Sequence, residues 1–282
     1  AGDPIRRYWE LIEEQERAGK KILLVEGDDD RDVLERCLNS LDPLWQRRLY
    51  VAAAGGRPRV LQKLGARPAW YAVVDRDTWE DGDINEEVAR YEDRLHVTAG
   101  WCLENLFLAD QAALTRAIRQ VAALAAIDLT PLYQLIHPWA DYGTVWWILH
   151  REQERMRKQN RTYHPDGSQH YYGYPKADPP QPVDEAGLNR YLNSLPNPTT
   201  ATEAKKLVAK ILKERDALPH DMPARILKAV PGKEFFRSEL VPWLSQQGCQ
   251  HDAAQWRQHI AQNWPADRWP RELQIFLRSV LN

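Results

Sequence analysis

Cysteine is scarce in this sequence: three residues, at 37, 102 and 249, are too few for a disulfide framework and too scattered for a CxxC zinc module. No run approaches the ~20 apolar residues of a membrane helix, and the first residues hold no apolar stretch of the secretory type. A phosphate loop of the form GxxxxGK(S/T) is missing as well, because Gly55-Gly56-Arg57 is too short and lacks the Lys-Ser/Thr step. Any ATP chemistry would therefore belong to a partner. There is no internal repeat and no low-complexity tract. The expectation is a cytoplasmic protein with no membrane segment.

What is present suits a globular fold. The 282 residues are 43% hydrophobic and 28% charged, enough for a real core and for about two domains. The net charge of -2 conceals an asymmetry: residues 1–108 carry 16 Lys and Arg against 22 Asp and Glu, and the remainder carries 22 against 18. An acidic front and a mildly basic rear fit a metal-binding part and an anion-binding part, or simply two solvated surfaces of unequal sign.

The periodicity changes along the chain. Ile5, Tyr8, Trp9 and Ile12 share one face of an opening helix. Residues 21–26 (KILLVE), 49–53 (LYVAA), 69–75 (AWYAVVD) and 95–98 (LHVT) read as short strands, the first buried on both faces. Amphipathic helices fall between them, one carrying Val33, Leu34, Cys37, Leu38 and Leu41. Strands alternating with helices predict an α/β fold with a parallel, doubly wound sheet. Beyond about residue 102 the pattern is helical, with a proline-rich break near 160–183. The expected division is 1–108 for the α/β domain and 109–282 for a mainly helical part.

The candidate chemistry lies at two strand ends. In VEGDDDRD, Glu26 ends the first strand and Asp28, Asp29, Asp30 and Asp32 open the next helix, which places five acids in seven residues. Like charges 4 Å apart repel by roughly 4 kcal/mol even at an effective dielectric of 20. A helix N-terminus offsets part of this for Asp28 and Asp29 but gives no reason for Glu26. In VVDRD, Asp75 and Asp77 flank Arg76 at the end of the third strand and share a face. Taken singly, each cluster reads equally well as capping or loop acidity. Together, at the carboxyl ends of parallel strands where open α/β sheets place ligands, they predict a site for Mg²⁺ or Mn²⁺, since the donors are all hard oxygens.

A strand ending in Glu-Gly, an Asp four residues after that Glu, and a later strand ending in Asp-x-Asp resemble the Toprim domain of topoisomerases, primases and OLD-type nucleases. The resemblance covers about residues 20–108. It implies that Glu26 is a general acid/base or metal ligand, that Asp30 is its companion, and that Asp75 and Asp77 are the metal-binding pair. Residues 101–108 (WCLENLFL) resemble the Glu-Asn step of small Toprim proteins encoded beside ABC-type ATPases, the type that includes the PARIS anti-phage effector. That likeness implies Glu104 as a further ligand, an ABC-type ATPase partner, a defence role and transfer RNA as a possible substrate. Departures are the missing zinc module of primases, the missing tyrosine-bearing domain of topoisomerases and the missing fused ATPase of OLD proteins.

Nucleic-acid contacts are expected from Arg155, Arg157, Lys158 and Arg161 with Tyr171 and Tyr172, where cations and aromatic rings interleave as single-stranded or looped nucleic acid requires. A basic helix end running into a tyrosine-rich loop explains the same residues. Lys233, in PGKEFF, is a further phosphate contact or a surface lysine. Most of the 12 tryptophans sit at core spacing, although Trp79 and Trp101 adjoin the acidic strand ends. The expected activity is metal-dependent hydrolysis of RNA or DNA. The alternatives are a non-catalytic Toprim-fold subunit of an ATPase complex and, last, nucleotidyl transfer or strand passage. A homodimer is compatible with the pattern but not required by it.

Overall fold

The computed structural model describes residues 3–122, 127–158, 183–194 and 201–282. In chain order the elements are α1 (Pro4–Arg17), β1 (Lys21–Val25), α2 (Asp28–Leu41), β2 (Leu49–Ala53), α3 (Arg57–Ala66), β3 (Tyr71–Val74), α4 (Asp81–Arg90), β4 (Leu95–Val97), α5 (Leu103–Ala109) and α6 (Gln111–Ala122). There follow α7 (Thr130–Tyr133), α8 (Ile136–Lys158), α9 (Glu185–Ser194), α10 (Ala201–Asp216), α11 (Met222–Ala229), α12 (Gly232–Phe235), α13 (Val241–Gln246), α14 (Ala253–Gln262) and α15 (Arg271–Leu281). No helix among the described residues is long and apolar enough to cross a membrane.

The four strands form one parallel sheet in the order β2-β1-β3-β4. Ile22, Leu23, Leu24 and Val25 of β1 are fully buried, as a central strand covered on both faces must be. The chain leaves β1 towards β2 on one side and later returns to place β3 on the other. The carboxyl ends of β1 and β3 therefore flank the topological switch point, where diverging connections open a crevice. Tyr8 on α1 donates its hydroxyl to Ala53 O at 2.8 Å, and the Trp70 indole donates to Glu16 at 2.7 Å, fastening α1 against the sheet.

Two compact units make up the chain: residues 1–127 with 248–282, and residues 128–247. This differs from the expected boundary at 108, because α5, α6 and the last 35 residues pack with the sheet unit. The apolar contacts are direct. Phe107 meets Trp264 and Trp269 with ring centroids 4.9 and 6.0 Å apart, and Phe276 on α15 meets Tyr71 of β3 and His96 of the edge strand β4 at 6.5 and 5.3 Å. Helices α14 and α15 are amphipathic, and their buried faces (Trp256, Ile260; Leu273, Phe276, Leu277, Val280) need the apolar surface that the sheet unit supplies.

The second unit is helical. Its core gathers Val145, Ile148 and Leu149 of α8, Leu188 and Leu192 of α9, and Leu207, Val208 and Ile211 of α10. Helix α8 approaches α11 so closely at Gly143 that a Cβ there would lie 1.7 Å from Ala229 O. A turn of π-helix, Phe236–Leu240, joins α12 to α13.

Candidate metal centre

Glu26 follows β1 directly, and its carboxylate reaches both neighbouring strand ends. One oxygen accepts the Asp75 N–H at 3.0 Å and the other accepts the Arg57 N–H at 3.2 Å. Its own carbonyl accepts from Gly55 and Gly56 at 2.9 and 2.8 Å, so the residue ties together the ends of β1, β2 and β3. Gly55 and Gly56 have φ of 83° and 111°, a backbone that only glycine adopts without strain and that turns the chain tightly from β2 into α3. Burial pushes the Glu26 carboxyl above its ordinary range and the charge of Asp77 adds to this, while Arg57 and the Asp75 N–H work against it. Asp30 contributes a further, smaller upward push.

The other predicted acids are built in by local geometry. Asp30, 7% exposed, accepts the Gly27 N–H at 3.0 Å and thereby caps α2. Asp75 is 3% exposed at the end of β3. Asp77 has φ of 47°, in the left-handed region, and its N–H bonds Trp101 O at 2.9 Å. Thr98, at the end of β4, accepts the Arg76 N–H at 3.1 Å and donates to Gly100 O at 2.7 Å. The Arg76 side chain turns away from the two acids and binds Trp79 O and Asp81. Glu26, Asp30, Asp75 and Asp77 thus belong to one end of the sheet.

Glu104 is held by a different partner. It lies in the first turn of α5, where Asn105 reaches back to cap the helix by accepting the Cys102 N–H at 3.1 Å. One Glu104 oxygen pairs with Arg257 Nη1 at 2.9 Å, and the same guanidinium meets Asp29 through Nη2 at 2.5 Å. The other oxygen, Oε2, is buried with no hydrogen-bond partner among the described residues, on a residue only 2% exposed. Such an atom is costly unless a donor or a cation completes it.

Among the described residues, no three or more His, Cys, Asp or Glu side chains come close enough together to hold a metal ion. The donor chemistry nevertheless fits Mg²⁺ or Mn²⁺, which accept one or two carboxylates and fill the remaining positions with water and substrate phosphate. Asp77 at the switch point, whose charge acts on Glu26, is one such carboxylate, and the open Oε2 of Glu104 is an oxygen without a protein partner among the described residues.

Two arginines were not among the predicted site residues. Arg57 reaches Asp77 at 3.3 Å and lies over the Trp79 ring at 4.5 Å. Its place directly after Gly55-Gly56 was the available sequence signal. Arg257 arrives from α14, 153 residues after Glu104, and nothing local marks it.

The expected nucleic-acid contacts are only partly placed. Arg155, Arg157 and Lys158 occupy the last turns of α8, with their side chains outside the described residues, and Arg161, Tyr171 and Tyr172 lie outside the described residues altogether. Lys233 sits half-buried in α12 of the second unit. No family model matches this chain, and no curated protein matches its sequence.

Proposed function

We propose that the chain is a metal-dependent nuclease of Toprim type that hydrolyses phosphodiester bonds at the switch-point crevice. The observation that carries this reading is Glu26: a carboxylate at the end of a buried central strand, above its ordinary pKa, facing the charge of Asp77 and bonded to the Asp75 loop. A divalent ion in this crevice would polarise the phosphate and lower the pKa of a bound water. Asp77 would hold that ion with water and substrate phosphate filling its remaining positions, and Asp30, Asp75 and Glu104, which the resemblance implies as ligands, would have to close in on it when it binds. Glu26, with its raised pKa, would take the proton of the attacking water. Regulation by an ABC-type ATPase, a defence role and an RNA substrate, transfer RNA included, belong to this proposal and rest on the resemblance described above.

The test is cleavage of labelled RNA and DNA oligonucleotides by the full chain with Mn²⁺ or Mg²⁺, with and without an ABC-type ATPase encoded beside it. Glu26→Gln is expected to reduce cleavage at least about 100-fold. Full cleavage by that variant overturns the assigned mechanism. One observation favours the rival, a non-catalytic interaction subunit: both Glu26 oxygens already serve as acceptors for main-chain N–H groups, as a purely structural staple would. Absence of metal uptake and of cleavage under every partner condition would support that rival.

A further inference from the structure

Arg57 is fixed in place while much of its hydrogen-bonding capacity goes unused. Its main-chain N–H is spent on Glu26 at 3.2 Å, and its guanidinium lies 4.5 Å from the centre of the Trp79 ring. Among the described residues only Nη1 has partners, Asp77 Oδ2 at 3.3 Å and Arg76 O at 3.5 Å, both long for charge-assisted bonds. Nε and Nη2 have no hydrogen-bond partner among the described residues, and the side chain keeps 15% of its surface exposed. Those two nitrogens form the guanidinium edge that presents two parallel N–H groups, the edge that matches two oxygens of a carboxylate or a phosphate.

An arginine kept only to neutralise the acids would turn that edge towards them. This one meets Asp77 through a single nitrogen and keeps the paired edge clear of every described residue. The Trp79 face restricts the guanidinium plane, so little further ordering is lost when an anion arrives. The position is also specific, since the same residue touches Glu26 through its backbone and Asp77 through its side chain. A group bound on the free edge would lie beside the carboxylates that the nuclease reading assigns to the ion and to proton transfer.

We propose that Arg57, stacked on Trp79, is the substrate-phosphate contact of this crevice, gripping a backbone phosphate of the nucleic acid through Nε and Nη2. This rests on the nuclease reading and adds to it the residue that holds the substrate. It also assigns Trp79, which packs against the sheet core, as the positioning residue of that contact.

The test is a binding titration of the full chain with a labelled single-stranded oligonucleotide in Ca²⁺ over a series of salt concentrations, alongside calorimetric titration with Mn²⁺. Arg57→Gln is expected to weaken oligonucleotide binding about 10- to 100-fold. It should also flatten the dependence of log K on log salt by about 0.7, the value of one phosphate contact on a single strand. Mn²⁺ affinity is expected to stay at the parental value or to tighten, because a cation beside Asp77 has been removed. Arg57→Lys keeps the charge without the paired edge, so it should retain the salt slope and recover only part of the affinity. Misfolding does not produce that split, and the Lys variant decides the matter if Arg57→Gln lacks a cooperative unfolding transition. Parental affinity and slope in Arg57→Gln overturn the role of Arg57 alone. A parent chain that takes up neither Mn²⁺ nor oligonucleotide overturns the nuclease reading beneath it.

Discussion

His96 shows at the residue scale how burial settles a charge state. Its ring lies on Phe276 at 5.3 Å, and burial lowers its pKa to about 4, with Glu272 opposing. The unfolded chain takes up a proton at this residue near 6.5, while the folded chain refuses it until about 4. Stability from this residue is therefore intact above 6.5 and is lost as the pH falls towards 4, by up to about 3 kcal/mol. Comparing thermal midpoints of the parent and His96→Phe across that range should show the parent losing more stability on acidification. A constant difference between them would refute the assignment. At this same scale the acids at 26, 30, 75 and 77 were legible in sequence, because each is punctuated locally by a strand end, a glycine or a helix start. The pairing of Arg57 with Trp79, 22 residues later, was not, since it depends on β2 and β3 flanking β1.

Elements were legible wherever burial imposes a period. The expected strands at 21–26, 49–53, 69–75 and 95–98 appear as Lys21–Val25, Leu49–Ala53, Tyr71–Val74 and Leu95–Val97. A strand covered on both faces shows a continuous apolar run, and the acids after β1 and β3, Glu26 and Asp75, mark where the core stops there. Helix-to-helix packing leaves no such mark. Gly143 sits inside α8 in a sequence that would be equally helical with alanine, yet the Ala229 carbonyl occupies the space of its Cβ. Gly143→Ala is therefore expected to destabilise the second unit by at least about 1–3 kcal/mol despite its better helix propensity. Chemical denaturation should show an early transition for residues 128–247 while the sheet unit keeps its parental midpoint. An unchanged profile would mean that α8 and α11 can separate there at no cost.

At the scale of the whole molecule, the chain closes its sheet unit from both ends. Arg257 joins Asp29 near the start to Glu104 past the last strand, from a helix that follows the entire second unit. Arg257→Ala should cost the sheet unit about 3–5 kcal/mol, because it strands a buried carboxylate. Replacing Glu104 and Arg257 together by Met should recover most of that loss, since a buried ion pair contributes little net stability over apolar packing. Thermal unfolding of the two variants checks this, and a double variant no better than Arg257→Ala would contradict it. The sequence by itself determined the parallel α/β order, the helical rear and the acids at the strand ends, because apolar period and punctuation act over a few residues. Only the tertiary structure decided that residues 248–282 belong with the sheet, that Glu104 answers to Arg257, and that Arg57 stands beside Glu26. Those partners lie from 31 to 228 residues apart and are brought together by burial of apolar faces, which local pattern does not encode.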